Sequence, residues 1–96
     1  MTDGAYKILS QSNAVGILVK LYGIRDSIAL TNLWKEVGSG YTAIKNEVLR
    51  LEAADLVTFS LDGKIQSVEL TPLGRKVAKE LSTACETYDT AMREMQ

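Results

Sequence analysis

Residues 41–57, YTAIKNEVLRLEAADLV, decide how the chain is read. Turned by about 100° per residue, Ile44, Val48 and Leu51 fall within one narrow arc, as on a helix that buries a single face. Beyond Leu56 the period changes: Val57, Phe59 and Leu61 alternate with Thr58, Ser60 and Asp62, which is the pattern of a half-buried strand. The side of the helix away from the arc carries Thr42, Asn46, Leu49 and Arg50, with Lys45 and Ala43 on its flanks. What that outer side meets decides the function.

Downstream, Asp62-Gly63 suits a tight hairpin turn with positive φ, and Val68 and Leu70 alternate on the return strand, so a β-hairpin is expected over 57–71. Thr71 is placed to cap a last helix whose first position is Pro72. Upstream, Leu30, Leu33, Trp34 and Val37 recur at helical spacing, with Ser27 as the expected cap and Gly38 as the stop. An earlier helix carries Ala14, Ile17, Leu18 and Leu21 between a cap at Ser12 or Asn13 and Gly23. The helix over 41–54 is entered through Ser39 or Gly40 after a turn of about three residues, the skeleton of a helix-turn-helix. The expected order is therefore helix, helix, helix, hairpin, long helix: mainly α with a β-hairpin.

Composition limits what such a chain can be. Its 96 residues, 46% of them hydrophobic, suit one domain, with helix-turn-helix core and wing over 13–71 and a C-terminal helix over 72–96. The apolar run Ala14 to Leu21 is too short to span a bilayer, and the N-terminus lacks a signal-like pattern, so a cytoplasmic protein without a membrane partner is expected. Cys85 is the one cysteine and there is no histidine, which argues against a disulfide and a structural zinc site. No other metal site, cofactor site or small-ligand pocket is legible.

The same inventory speaks against an enzyme. Nothing supplies a histidine for proton transfer, a nucleophile with an evident base, or a carboxylate pair at a telling spacing. GSGYTAIK, residues 38–45, departs from the phosphate-loop pattern and reads as the turn before a helix.

Residues 30–57, LTNLWKEVGSGYTAIKNEVLRLEAADLV, resemble the winged helix-turn-helix core of small transcription regulators of the MarR, PadR and ArsR kind. VELTPLGRKVAKEL, residues 68–81, is similar to the end of the wing and the start of the next helix in such proteins, particularly compact archaeal ones. The likeness covers about residues 13 to 82. Trp34 stands where these families usually have Ala, Leu49 where a polar residue is common, and Asp55 where Gly normally ends the recognition helix. The resemblance implies sequence-specific binding of double-stranded DNA by a homodimeric regulator, with the helix over about 41–54 in the major groove. The wing over about 57–70 is then expected on the flanking backbone or the minor groove.

The expected DNA-binding residues are Tyr41, Thr42, Ala43, Lys45, Asn46, Leu49, Arg50, Lys64 and Gln66. Asn pairs with an adenine edge, Lys and Arg reach guanine, and Thr offers a hydroxyl or a methyl, whereas Tyr41 near the helix start suits phosphate. Charge runs the other way. Eleven Lys and Arg face twelve Asp and Glu, and residues 40–70 hold Lys45, Arg50 and Lys64 against Glu47, Glu52, Asp55, Asp62 and Glu69. DNA-binding modules usually carry a basic surplus. The alternative is a winged-helix module that binds a protein through Leu49 and its surroundings, since fold alone does not fix function.

The last helix carries a second pattern. Val77, Leu81, Ala84, Tyr88, Ala91 and Met95 advance by alternating steps of four and three, as in a coiled-coil seam about 27 Å long. Leu73 to Leu81 are expected to cover the domain's own core. Leu81, Ala84, Tyr88, Ala91, Met92 and Met95 are the candidate dimer interface, and Cys85 beside them reads as a small apolar residue.

Overall fold

The computed structural model describes every residue except Met1, Ser12, Arg25, Ser39 and Gln96, and describes the backbone alone at Thr2, Asp3 and Asp62. Its elements are α1 (Thr2–Leu9), α2 (Ala14–Tyr22), β1 (Ile28–Ala29), α3 (Leu30–Val37), α4 (Tyr41–Ala53), β2 (Val57–Asp62), β3 (Ile65–Leu70) and α5 (Pro72–Glu94). Two were not foreseen. The short α1 lays Ile8 and Leu9 against the core, and the two-residue β1 makes the wing a three-stranded antiparallel sheet in the order β1-β3-β2.

The core forms where the apolar periods converge. Ile17, Leu18 and Leu21 of α2, Leu30 and Leu33 of α3, and Ile44, Val48 and Leu51 of α4 are all buried, closed from below by Val57 and Val68 of the sheet. Each such side chain contributes about 1.5–3 kcal/mol relative to exposure, so α2, α3 and α4 hold one another at fixed angles.

The boundaries have local causes. Gly38 adopts φ 83° and sends its N–H to the Trp34 carbonyl, ending α3 in a left-handed turn. Ser27 does not cap α3: its N-cap is Ala29, because Ile28 and Ala29 are held in register with Val68 and Ser67 of β3 and helical geometry starts only after them. Gly40 is the N-cap of α4 and Asn13 that of α2; Ser12 and Ser39, the other expected caps, lie outside the described residues. Gly23 ends α2, but in a right-handed conformation.

At the far end of α4 the expectation for Asp55 is met at φ 64°. Its N–H goes to Glu52 O, and Leu56 N–H reaches back to Leu51 O, the paired closure in which a left-handed residue follows the helix. Asp serves there because its short polar side chain tolerates that conformation. Leu56 is thereby delivered to the core and the chain enters β2. In the hairpin Asp62 pairs with Ile65, which leaves Gly63 and Lys64 as the two loop residues, Gly63 at φ 64°.

Thr71 joins the two ends of this unit. Its hydroxyl accepts from Gly74 N–H at 2.9 Å and donates to the Asp55 carbonyl at 2.6 Å, so one side chain caps α5 and fastens it to the terminus of α4. α5 then packs on α2, with Gly74 and Ala78 as its two buried residues, Gly74 lying against the Leu56 backbone. As expected, Val77 and Leu81 pack half-buried against the core, whereas Leu73 remains 47% exposed.

Candidate nucleic-acid interface

The outer side of α4 emerges as the wheel implied. Thr42, Ala43, Asn46, Leu49 and Arg50 are exposed and Lys45 is half-buried. Tyr41 opens the helix and is held on two sides. Its ring meets Trp34 edge-on at 5.7 Å between centroids, and its hydroxyl donates to Gln66 Oε1 at 3.1 Å. Trp34 thus serves as a wall for Tyr41. The contact with Gln66 ties the first turn of α4 to strand β3, so two expected site residues lie side by side and the wing is fixed relative to the helix.

Lys64, exposed in the hairpin loop, completes this side. With Ile65, Gln66, Tyr41 and the Ala29–Thr31 segment it lines a groove of about 350 Å³ between the wing and the first turn of α3. Thr31 was not singled out from the sequence; only β1, which draws the start of α3 against the wing, brings it here.

Arg50 behaves differently from its neighbours. Its guanidinium donates to Gln11 Oε1 at 3.0 Å and lies 3.9 Å from Glu47 Oε1. It therefore leans over the connection between α1 and α2. Glu47 is the unexpected residue: it is 4% exposed, and its Oε2 has no hydrogen-bond partner. Burial raises its pKa above the usual 4.5 and the Arg50 charge opposes that rise. Its position was legible, since three residues after Ile44 and four before Leu51 is the buried face of a helix.

These placements change the meaning of the acidic surplus. Glu47 is turned inward, and Glu52 accepts from Phe59 N–H at 3.3 Å, using its carboxylate on the edge strand β2. The backbone of Asp55 forms the helix terminus described above. The outer side of α4 consequently presents Lys45, Asn46 and Arg50 with no exposed acid among residues 41–50.

A second surface lies on α5. From residue 83 to 95 every side chain is exposed, including Ala84, Ala91, Tyr88 at 65%, Met92 at 40% and Met95 at 80%; Leu81, one turn earlier, is half-buried. At the other end of the same helix, Leu73 and Val77 join Ala5, Ile8, Leu9, Ala54 and Leu56 in an apolar groove of about 270 Å³. Cys85 is exposed and its thiol is free. Among the described residues there is no group of three metal-ligating side chains, and no helix long and apolar enough to cross a membrane.

Comparison with known proteins places the architecture. No protein-family model and no curated protein matches the chain. Solved structures do. It superposes on MepR, a transcription regulator of the Staphylococcus aureus multidrug efflux pump MepA, with a TM-score of 0.77 and 14% identity over 98% of this chain and 71% of that one. The MarR family transcriptional regulator SPO1453 from Silicibacter pomeroyi gives 0.73 and 20% over 95% and 74%. A transcriptional regulator homologue from Pyrococcus horikoshii gives 0.71 and 20% over 90% and 88%. The chain has the winged helix-turn-helix fold of these regulators: mainly α, with a small antiparallel wing and a long C-terminal helix.

Proposed function

We propose that the protein is a homodimeric transcription regulator that binds double-stranded DNA in a sequence-specific manner, without catalytic activity, in the cytoplasm. The observation that carries this reading is the segregation of charge on α4: its acids are buried or bonded to the wing, and its outward side offers Thr42, Ala43, Lys45, Asn46, Leu49 and Arg50. A rigid helix with that exposed set matches what a major groove can read. Asn46 is suited to an adenine edge, Lys45 to guanine, and Leu49, like other apolar side chains, to a thymine methyl. Tyr41, Gln66 and Lys64 form a ledge beside the helix, where phosphate contacts fix register without reading sequence. The transcription regulators among the structural neighbours support the same partner.

Self-association follows from α5. A groove at one end of the helix and a free apolar stripe at the other fit each other if a second copy lies antiparallel, with Met95 of each copy approaching Leu73 and Val77 of its mate. Both ends are then covered at once, as a two-fold interface requires. The interface comprises Leu81, Ala84, Tyr88, Ala91, Met92 and Met95, and burying its larger side chains stabilises the pair by about 1.5–3 kcal/mol each.

The test separates base reading from backbone attraction. On its preferred site, Asn46→Ala loses about 1–3 kcal/mol and relaxes discrimination at one base pair, leaving non-specific affinity nearly untouched. Lys64→Ala weakens all sequences alike and lowers the salt slope by about one unit. If neither variant affects DNA while Leu49→Ala abolishes binding to a protein partner, the exposed side of α4 is a protein-docking face.

A further inference from the structure

Gln11 lies in the connection between α1 and α2, far in sequence from the helix its side chain touches. Its amide is held from both ends. Nε2 donates to the Lys7 carbonyl at 3.3 Å, which leaves Oε1 as the acceptor for Arg50 Nη1 at 3.0 Å. The Gln11 carbonyl accepts the Ala14 N–H at 3.1 Å, so the end of α1, the start of α2 and the last turns of α4 meet at this one residue. The anchor is firm, because α1 packs Ile8 and Leu9 against the core.

Arg50 stands between two acceptors. Glu47 Oε1 lies 3.9 Å from the same Nη1, beyond hydrogen-bonding distance, and Glu47 Oε2 is buried with no partner. An unpaired buried carboxylate bears its full desolvation cost, so a donor that can reach it is drawn in. Arg50 is such a donor: it is three residues on along the same helix, where side chains meet, and its guanidinium fork matches two carboxylate oxygens. The bond to Gln11 opposes this closure. It holds the guanidinium over the connection, where the Arg50 side chain is 62% exposed, and it engages one of five N–H donors, leaving others for phosphate oxygens.

We propose that Gln11 is a positioning residue for DNA binding: it holds Arg50 off the buried Glu47 carboxylate and so keeps the guanidinium charge available to the phosphate backbone. The inference rests on the DNA-binding reading above and gives the α1–α2 connection, which that reading does not use, a part in it. A glutamine suits the task because a neutral amide holds the guanidinium without cancelling its charge. A carboxylate at the same place would repeat the neutralisation that Glu47 threatens.

Two measurements on the full chain separate this role from a structural one. NMR titration of the Glu47 carboxyl needs no DNA, and in Gln11→Ala it should move to lower pH than in the parent, since Arg50 then closes on the carboxylate. Against duplex DNA, Gln11→Ala should lose about three- to tenfold in affinity on all sequences alike and about one unit of salt slope per phosphate contact removed, with no fall in the thermal midpoint. Glu47→Gln added to Gln11→Ala should restore the affinity, because no buried charge then competes for Arg50. In an Arg50→Ala background the Gln11→Ala step should have no effect. An unmoved Glu47 titration, a Gln11→Ala chain that binds DNA as tightly as the parent or more tightly, or failure of Glu47→Gln to restore binding overturns the role. Failure of the parent itself to bind DNA is a different result: it removes the regulator reading and the role with it, while the Glu47 titration still decides whether Gln11 holds Arg50 off the carboxylate.

Discussion

Glu47 shows how much one residue can determine. A buried carboxylate with an unpartnered oxygen normally lowers stability, yet here it keeps negative charge off the outer side of α4 and lies beside Arg50. Its pKa is raised in the fold, so the folded chain holds this proton more tightly than the unfolded chain. The associated stability is fully present below the ordinary value of 4.5 and is lost as pH rises from there through the folded value. Glu47→Gln should therefore gain on the parent as pH rises through that window, as read from urea midpoints. Glu47→Leu should raise stability at neutral pH by about 1–3 kcal/mol; a fall instead would mean that its contact with Arg50 outweighs the burial.

Two other residues fasten the wing unit to α5. A Cβ on Gly74 would lie 1.8 Å from the Leu56 carbonyl oxygen, and the obstacle is backbone, which cannot rotate aside. Gly74→Ala should destabilise the fold by about 2–3 kcal/mol, measured by thermal unfolding. Thr71→Val should cost about 1–2 kcal/mol, because it removes both the cap of α5 and the link to Asp55. Neither Gly74 nor the second bond of Thr71 was legible in the sequence, which marks Thr71 as a cap but cannot say which carbonyl comes within reach.

Among the elements, α4 and the wing are the ones the sequence describes well. The arc of Ile44, Val48 and Leu51 corresponds to a buried face, whereas the alternation beginning at Val57 goes from buried Val57 through half-buried Phe59 to Leu61, which is 67% exposed toward the hairpin loop. β1 was hidden because two residues form no period; it is recruited by the free edge of β3. α1 was missed for a related reason: Ile8 and Leu9 bury themselves against the core without a long stripe to announce it. On α5 the apolar stripe was legible, but the burial of Gly74 and Ala78 was not, since neither small residue stands out from the helical period. The coupling of α4 to the wing is open to a simple test. Tyr41→Phe removes the bond to Gln66 and retains the ring against Trp34, so it should cost about 0.5–1.5 kcal/mol in DNA affinity with little effect on the thermal midpoint. Equal losses in folding and affinity would make the bond merely structural.

At the scale of the whole molecule, the extent of 49 Å along one axis against 24 Å along another reflects the exposed final turns of α5. An isolated helix end carrying Tyr88, Met92 and Met95 is a patch that single-chain domains normally cover. Sedimentation should give twice the chain mass, and Leu81 and Tyr88 replaced together by charged residues should halve it. A monomer from the parent chain would remove the proposed interface. Dimerisation also bears on DNA binding, because it doubles the few outward cations available to meet phosphate. Lys45, Arg50 and Lys64 are three per copy among the expected contacts, so the salt dependence should be shallow beside that of strongly basic regulators. The most direct test of the central claim is retention of genomic DNA fragments by the purified full chain across a salt series. Selective retention of a subset of fragments, with a shallow slope and loss of that selectivity in Asn46→Ala, is the predicted result; retention of no fragment even at low salt would contradict it.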